Sequence, residues 1–531
     1  MTNISHQESD NSLIPVAEFS QALAMAQQLI LSGDLTEHQA ENFSDLAASQ
    51  FWAHYLKEGV YLSDAVRLLC EVATGTHPTL ARYAQKTLFS GIIEPLSDAF
   101  DPAHGALYDR LFAEVIDWCR QTRPGAALDV RLSQFGLYTA RDLVVRRQRC
   151  QARPARQVHP PDQVQKVFLL SRVTLGAEVA ITGTLITKVL KTFANAQCVL
   201  LVTPSMHPVF AENKRISVRS VPYDRNKNLI EQFKGWLDIS RLIPSETEGL
   251  RHAEYLVIDP DSRFTQLGML PVLANESNYL FFESRTFGQK GTRRMGQLAN
   301  DWANQVLGGD DCLYPTLSLS TRDWEYAETL RYCLRETGAA HVVVVNFGVG
   351  GNPDKRLAEV FEHELVSRLI DSGSRVLLAE GVDREEIARS HRLLTQLAAD
   401  GREIKKMDST RSYSIPTAES LKGDVVAWRG TVGIYCALIG STEEYIGYDS
   451  GGQHVAAAVG TPTIDIFAHS PYPLFAHRWQ PYGPGRIAVV DATGQNSGGQ
   501  AESAKIVQRV MAHHQENKAA RRTGTLRLQQ L

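Results

Sequence analysis

The stretch from residue 445 to residue 470 constrains the fold of this chain more than any other. It reads YIGYDSGGQHVAAAVGTPTIDIFAHS, which predicts a strand, a tight turn, a small-residue helix over 454–459 and a second strand. The turn contains Gly451 and Gly452, and the helix is expected to end before Pro462. Glycines at a helix entrance let an anion approach unpaired backbone N–H groups and the positive end of the dipole. The spacing is typical of a phosphate site, but a plain turn within a sheet has the same pattern.

Strands alternate with helices from about residue 165 onward. Besides the two strands just described, strands are predicted at 167–170, 198–202, 216–221, 255–258, 279–282, 341–347 and 375–378. Helical patterns lie between several of them, at 179–193, 323–336, 357–372 and 384–399. This alternation predicts an α/β fold with doubly wound parallel sheets. Because the pattern restarts after 308–316, we expect two such regions.

The first 150 residues have a different character. Residues 15–150 show helical periodicity without β-rich runs, which predicts an all-α N-terminal domain. The basic, proline-containing segment 146–161 is interpreted as a solvated linker. The predicted organisation is an all-α domain at 1–150, a linker at 151–163, a first Rossmann-like domain at 164–312, a second at 313–515 and a tail at 516–531.

Charge and cysteine usage exclude several classes of function. The 531 residues carry 55 basic and 59 acidic side chains, a net charge of −4, which gives no support for a nucleic-acid partner. The seven cysteines are scattered and never form a C-x-x-C pair, which predicts reduced thiols rather than a disulfide framework or a metal cluster. The N-terminus lacks the apolar run of a signal peptide, and no run of about 18 apolar residues occurs. We therefore expect a cytoplasmic protein.

The stretch 445–470 also resembles the nucleotide-sugar loop of glycosyltransferase family 9, the heptosyltransferase-like enzymes. That family has an Asp, a Thr or Ser, a Gly, two variable residues and a His, then a small-residue helix and a G/R-x-P turn into a strand. The matching residues are Asp449, Ser450, Gly451, His454, Gly460 and Pro462. The resemblance covers about residues 165–515 and leaves out the helical N-terminal region. It implies a GT-B fold, in which two Rossmann-like domains hold the ligand between them, with the first domain on the acceptor side and the second on the donor side.

The resemblance also implies a set of donor-binding residues. Lys355 follows the glycine-rich turn 348–351 and matches the phosphate-binding lysine of the family, although a solvated loop lysine is the plain alternative. Asp383 is the candidate for the ribose hydroxyls, with Glu380 as the alternative. His454 is expected to brace the loop or reach the diphosphate, or else to be a satisfied structural histidine. The full predicted donor set is Lys355, Asp383, Asp449, Ser450, Gly451, Gly452 and His454.

Glu178 is the candidate catalytic base. The family carries a Gly-Asp pair in the turn after its first strand, and the Asp acts as base. Here Gly176 is followed by Ala177 and then Glu178, so the carboxylate lies one residue later and has one more methylene. A carboxylate at that place can take the proton of an acceptor hydroxyl. The competing interpretation is a Glu in the first turn of a helix, where the dipole favours it.

Two further motifs concern metals and the acceptor. Asp259-Pro260-Asp261 has the spacing of the D-x-D metal site of GT-A glycosyltransferases, but two Rossmann-like regions argue against that class, so we predict no metal. A basic stretch from Ser284 to Arg294, which includes Arg285, Lys290 and Arg293, supplies candidate acceptor contacts, unless it is simply a solvated helix start. The predicted acceptor residues are Arg285, Arg293 and Arg294.

The expected function is therefore transfer of a sugar without metal or cofactor and with inversion at the anomeric carbon. The donor would be a nucleotide-diphosphate sugar, by family analogy ADP-heptose. The acceptor would be a lipopolysaccharide-type glycolipid, which would bring the protein to a membrane surface, or a protein. The alternative is a non-catalytic nucleotide-sugar-binding or scaffold protein with a degenerate glycosyltransferase fold. It is suggested by the altered Gly-Ala-Glu turn and the large helical region.

Overall fold

The computed structural model describes residues 13–75, 77–152, 159–223, 228–288, 291–414, 417–470, 472–495 and 499–522. Its contacts divide the chain into two compact units. Unit 1 comprises Met1–Ala155 and Val221–Gly291, and unit 2 comprises Arg156–Ser220 and Thr292–Leu531. The predicted sequence boundaries of the domains stay predictions. The predicted lead before residue 13 and the predicted tail after residue 522 lie outside the described residues.

Helices come first along the chain, and strands alternate with helices from residue 166 onward. The helices are α1 (Val16–Ser32), α2 (Glu37–Glu58), α3 (Ser63–Ala73), α4 (Pro78–Lys86), α5 (Glu94–Asp98), α6 (Pro102–Gln121), α7 (Ala126–Gln134), α8 (Ala140–Ala152), α9 (Leu175–Ala177), α10 (Thr184–Thr192), α11 (Lys234–Glu246), α12 (Met295–Leu307), α13 (Thr321–Glu336), α14 (Glu359–Asp371), α15 (Arg384–Ala399), α16 (Val432–Ser441), α17 (Gly451–Val459), α18 (Pro473–Arg478) and α19 (Gln500–Arg522). The strands are β1 (Lys166–Leu170), β2 (Gln197–Val202), β3 (Ile216–Ser220), β4 (Tyr255–Asp259), β5 (Tyr279–Phe281), β6 (Val342–Asn346), β7 (Arg375–Ala379), β8 (Ile404–Ser409), β9 (Val425–Gly430), β10 (Glu444–Tyr448), β11 (Thr463–Phe467) and β12 (Ile487–Asp491).

Unit 1 contains the predicted helical region, α1 to α8. Two of its helix starts carry side-chain caps: the Thr36 side chain and Gln39 form a capping box on α2, and the Asp101 carboxylate accepts backbone N–H groups ahead of α6. Fully buried apolar side chains such as Phe51 and Phe112 form its core. The same unit holds the parallel pair β4 and β5 and the helix α11.

The predicted solvated linker is wrong at its start. Arg146 and Arg147 lie in α8 and are only 2% and 3% exposed. Arg146 is ion-paired with Glu276, and the Arg147 guanidinium is 2.6 Å from the Asp109 carboxylate and 3.5 Å from that of Glu283. These buried pairs join the helical region to residues 221–291 within unit 1. A buried guanidinium requires such partners, and their positions, far away in the chain, are invisible in the local composition.

Unit 2 holds two sets of parallel strands. β1 pairs with β2, and β2 with β3, each in parallel. The seven-stranded sheet has the order β12-β11-β10-β6-β7-β9-β8, with parallel pairing throughout. Apolar side chains of β6, β10 and β11 pack against α14, α15 and α19 in one core, which is why these strands read as continuous apolar runs. The predicted fold class, a helical N-terminal region followed by two Rossmann-like parallel regions, is confirmed.

The sequence pattern missed the outer elements of the large sheet, since β8, β9 and β12 were not predicted. The start of the predicted tail is also helical, because it belongs to α19, which ends at Arg522. β8 and β12 are edge strands, which bury fewer side chains and therefore show weaker periodicity. Among the helices of the described residues, none has both the length and the apolar character needed to cross a membrane.

Candidate functional site

The start of α17 lies at the carboxyl edge of the seven-stranded sheet. β10 ends at Tyr448, Ser450 is extended, and α17 begins at Gly451, three residues earlier than predicted. Its end matches the prediction, because Gly460 has the left-handed conformation (φ 78°) that terminates a helix. Ligands of open α/β sheets bind at this edge. The backbone N–H groups at the start of α17 therefore lie where an anionic ligand is expected.

Both glycines of the turn are required by close packing. A Cβ atom on Gly452 would lie 2.2 Å from the Tyr445 hydroxyl and 2.3 Å from that of Tyr435. A Cβ atom on Gly451 would lie 2.9 Å from the Leu175 Cβ atom. Only glycine leaves room here for the two tyrosine side chains and the first turn of α9. Packing alone therefore explains both glycines, whether or not a ligand binds.

The turn after β1 and the start of α17 meet within unit 2. A Cβ atom on Gly176 would lie 2.9 Å from the Cδ2 atom of His454, and Leu175 packs on Gly451. A π-helical turn over Glu178–Gly183 then joins α9 to α10. Such turns often occur at functional sites. Two segments that the sequence singled out separately, at 171–178 and 449–454, are therefore one site.

Lys355 and Asp449 form an ion pair at this site. The Lys355 Nζ atom is 2.5 Å from Asp449 Oδ2, and the side chains are 17% and 6% exposed. The other Asp449 oxygen accepts a hydrogen bond of 2.8 Å from Gln453 Nε2. Lys355 is thus not a freely solvated loop lysine. The structure thus brings together two of the predicted donor residues, which carry opposite charges, next to the N-terminus of α17.

The glycine-rich turn after β6 already holds an anion of this chain. The Glu386 carboxylate accepts the backbone N–H groups of Val349 (2.8 Å) and Gly350 (3.1 Å) through Oε1 and that of Val382 (3.0 Å) through Oε2. The turn therefore binds a carboxylate of the protein itself, and the role of Lys355 beside it toward a phosphate stays a prediction. Asp383 caps α15 by accepting the Glu386 N–H at 2.8 Å, so its predicted ribose contact stays a prediction.

Asp465 is the residue of this site that sequence reasoning missed. It lies on β11 opposite Gly447 of β10 and is fully buried, and neither of its carboxyl oxygens has a hydrogen-bond partner among the described residues. Burial, followed by the negative charge of Asp449, raises the pKa of Asp465 well above its ordinary value. The available signal was a single acidic residue within a predicted buried strand, 463–467. The predicted acceptor residue Arg294 contributes to its electrostatic surroundings.

His454 and Glu178 are both almost completely enclosed. Burial lowers the pKa of His454 to about 4, so the imidazole is neutral, and its Nδ1 atom has no hydrogen-bond partner among the described residues. Glu178 is fully buried. Its Oε2 atom accepts hydrogen bonds from the Ser171 hydroxyl (2.7 Å) and the Arg172 N–H (2.6 Å). Burial raises the pKa of Glu178 to about 7, and its Oε1 atom has no partner in the part of the chain that the structure describes.

The turn that Glu178 closes is strained. Val173 has φ 64°, a left-handed conformation that is costly for a β-branched residue. Such strain persists only where the surroundings impose it, and it is common at functional sites. The carboxylate therefore has a structural task in its own turn, in addition to any chemical one.

The remaining predicted acceptor residues, Arg285 and Arg293, belong to different units. Arg285, in unit 1, is 4% exposed, 3.7 Å from the Asp261 carboxylate and stacked on the Tyr108 ring at 4.3 Å. Arg293, in unit 2, pairs with Asp301 at the surface. Their acceptor roles stay predictions, and Lys290 lies outside the described residues.

The D-x-D alternative gains no support. The Asp259 carboxylate is fully buried and already accepts hydrogen bonds from the Thr265 and Tyr279 hydroxyls, each at 2.5 Å, and from the Ser262 N–H at 2.7 Å. Asp261 Oδ2 accepts a hydrogen bond of 2.6 Å from the Ser284 hydroxyl. These carboxylates organise the loop after β4.

Comparison with known proteins was made on sequence and on structure. Residues 431–508 match the model of the family described as glycosyltransferase family 9 (heptosyltransferase). The search of the curated proteins finds no match. Among solved structures, the chain is similar to the glycosyl transferase family 9 protein from Veillonella parvula DSM 2008, with 14% identity, TM-score 0.48, and coverage of 67% of this chain and 98% of that one. It is similar to the E. coli heptosyltransferase WaaC with ADP, with 16% identity, TM-score 0.43, and coverage of 66% and 100%.

The family match and the site geometry concern the same part of the chain. The matched segment contains α16, β10, α17, β11 and α18, and with them the turn that carries Asp449 and the buried carboxyl of Asp465. The resemblance seen in the sequence is thereby confirmed for residues 431–508, which match the model of glycosyltransferase family 9 (heptosyltransferase).

Proposed function

We propose that this protein is a cytoplasmic, inverting glycosyltransferase that moves a heptose-like sugar from a nucleotide-diphosphate sugar to a glycolipid or protein acceptor, without a metal. The observation that carries the proposal is the Lys355–Asp449 ion pair at the N-terminus of α17, in and beside the segment that matches the family. A lysine and a helix N-terminus together offer the positive charge that a diphosphate needs.

The diphosphate would bind between α17 and Lys355. Its oxygens would accept the backbone N–H groups at Gly451 and Gly452, and the Lys355 ammonium would exchange the Asp449 carboxylate for a phosphate. Fixed donors of this kind stabilise the charge that develops on the leaving nucleotide diphosphate, which is the task a metal ion performs in other glycosyltransferases. Asp449, released from Lys355, and Asp465 would then be the carboxyl groups nearest the sugar.

The transfer step itself needs a base on the opposite side of the anomeric carbon. Glu178 would take the proton from the acceptor hydroxyl while that oxygen forms its bond to the anomeric carbon and the bond to the diphosphate breaks. The pKa of about 7 leaves a substantial fraction of the carboxyl ionised at neutral pH while keeping it basic. The side chain must first open toward the acceptor, because it is fully buried in its own turn.

The test is a panel of nucleotide-diphosphate sugars, with release of the nucleoside diphosphate as the readout. We expect one donor class to be turned over, and Lys355→Met to weaken donor binding by about tenfold or more because a charge-assisted contact is lost. Lys405→Met, which removes a lysine of β8 that pairs with Glu403, is the matched control. Gly451→Val is unsuitable because its side chain would collide with Leu175 whether or not a nucleotide binds. Equal donor affinity of wild type and Lys355→Met would contradict the site.

A non-catalytic nucleotide-sugar-binding protein is the second candidate. The observation that favours it is the double hydrogen bond of Glu178 Oε2 within its own turn, which suits a structural carboxylate. Calorimetry would show that such a protein binds a donor and that Lys355→Met weakens this binding, as in the first candidate. It would release no nucleoside diphosphate with any acceptor in the panel, and this outcome separates the two candidates.

A further inference from the structure

Three buried side chains with metal-ligand atoms meet at the amino edge of the seven-stranded sheet. His341 directly precedes β6, Glu444 begins β10, and His514 lies on α19. Their ligand atoms all lie within 4.8 Å of one another. The Nε2 atom of His341 is 3.3 Å from Glu444 Oε2, and the Nδ1 atom of His514 is 2.5 Å from the same oxygen. None of the three is more than 7% exposed.

A second layer of side chains orients this cluster. The Nε2 atom of His514 lies 3.1 Å from both the Ser372 and the Ser374 hydroxyls, which leaves Nδ1 as the nitrogen directed at Glu444. Asn517, three residues after His514 on the same face of α19, donates from Nδ2 to Glu444 Oε1 at 2.6 Å. Its Oδ1 atom is buried and has no hydrogen-bond partner among the described residues. Partners that fix the free nitrogen of a histidine are typical of metal centres.

We propose that His341, Glu444 and His514 bind one divalent transition-metal ion of the zinc type, with Asn517 Oδ1 as the fourth ligand. Ligand bonds of about 2.0–2.1 Å in a tetrahedron place the ligand atoms about 3.3 Å apart. The separation of His341 Nε2 and Glu444 Oε2 is 3.3 Å. The contact between His514 and Glu444 has to open by about 0.8 Å, and rotation of the Asn517 amide brings its unpartnered oxygen toward the carboxylate. Two imidazoles favour zinc or iron over magnesium or calcium, which prefer oxygen ligands.

The ion would have a structural task. The cluster lies at the start of β6 and β10, whereas the start of α17 follows the end of β10, so the two sites are at opposite edges of one sheet. A strand of five residues separates its ends by about 13 Å. Metal bound there would fasten α19 to the sheet without touching the proposed donor site. The proposal therefore does not depend on the transfer reaction.

The competing explanation is a hydrogen-bond network in which the Glu444 carboxylate accepts from both imidazoles and from Asn517. The experiment uses the full chain, stripped with a chelator, dialysed and titrated with Co²⁺ and Zn²⁺. We expect about one ion per chain, visible absorption bands of Co²⁺ bound to imidazole, and a rise in melting temperature with Zn²⁺. His514→Gln should weaken binding at least tenfold, as loss of a ligand does. His513→Gln, at the partly exposed neighbour on the same helix, is the matched control and should bind like wild type.

Two results would overturn the metal site. One is wild-type protein that takes up no more metal than His514→Gln and shows no shift in melting temperature. The other is equal weakening in His513→Gln, which would identify a surface histidine as the ligand. If His514→Gln does not fold, His341→Gln and the wild-type Co²⁺ spectrum decide the question, because a hydrogen-bond network produces no Co²⁺ absorption.

Discussion

Glu178→Gln tests the proposed base, because it should change turnover while leaving donor affinity almost unchanged. Glutamine keeps the size of the side chain and an oxygen for Ser171 and Arg172, but it has no basicity. Loss of a positioned base should lower turnover by about 10²- to 10⁴-fold. Donor affinity should change little, because the Lys355–Asp449 pair is untouched. A purely structural carboxylate would give the opposite result, with turnover close to that of wild type.

The raised pKa of Glu178 also predicts the direction in which Glu178→Gln changes the stability of the protein at high pH. The Glu178 carboxyl has a pKa of about 7 in the folded chain and an ordinary value of 4.5, so the folded state holds its proton more tightly. Its contribution to stability is therefore fully present below about pH 4.5 and is lost as the pH rises through 7. This difference between the pKa values of the folded and unfolded chain corresponds to about 3 kcal/mol in the free energy of unfolding. Because glutamine does not ionise, Glu178→Gln should remove this loss and be at least as stable as wild type at pH 8.

The assay combines turnover between pH 5.5 and 8.5 with denaturant unfolding at pH 5 and pH 8. Wild-type turnover should rise through about pH 7 as the carboxyl ionises, and Glu178→Gln should show no such rise with pH. Glu212→Gln, at an exposed position of unit 2, is the matched control and should leave both quantities unchanged. Turnover of Glu178→Gln within a few-fold of wild type would refute the base and favour the nucleotide-binding candidate. A variant that is less stable than wild type at pH 8 would refute the raised pKa.

Four further outcomes are expected. Transfer measured as initial rate at 25 °C should survive EDTA, because helix N–H groups and a lysine stabilise the leaving group; loss of rate that manganese restores would contradict this. Gly452→Ala should destabilise the protein or displace α17, since its Cβ atom would lie 2.2 Å from the Tyr445 hydroxyl, and unchanged melting and donor binding would be the contrary result. Arg147→Met should cost about 3–5 kcal/mol in unfolding free energy, because the Asp109 carboxylate loses its buried partner; a change under 1 kcal/mol in denaturant melts would count against the pair. A chain that starts at Gln163 should be insoluble, because residues 221–291 lose the rest of their unit, and a soluble monomer would refute that.

The sequence predicted best where short-range chemistry decides the structure. The glycine spacing and the helix end at Gly460 correctly predicted the strand, turn and helix around Gly451. The predicted start of the helix was three residues too late, which is about one helical turn. Lys355 and Asp449 were both expected on the donor side from the family resemblance, although they lie 94 residues apart. The glycine-rich turn at 348–351 was noted only as the segment before Lys355, and the structure shows that its N–H groups donate to the Glu386 carboxylate.

The parts that escaped prediction depend on distant partners. Arg146 and Arg147 have the composition of a solvated linker, and only their carboxylates, 130 to 136 residues away or on another helix, make them interior residues. His341 and Glu444 are 103 residues apart, and His514 is a further 70 away, so no ligand spacing is visible in the chain. Asp465 is the single charged residue of β11, and the lack of hydrogen-bond partners for its carboxyl oxygens among the described residues is visible only in the structure.

Unit 1 consists of two segments that are far apart in the chain, which determines when during translation its ion pairs can form. Arg147 leaves the ribosome well before Glu283, which follows it by 136 residues. At about 5–20 residues per second, the arginine waits roughly 7–27 s for that carboxylate. During this interval the segment that forms strands β1 to β3 of the other unit is synthesised. Of the two carboxylates that Arg147 contacts in the structure, Asp109 is therefore synthesised before it, and the pair with Glu283 forms only after translation has passed residue 283.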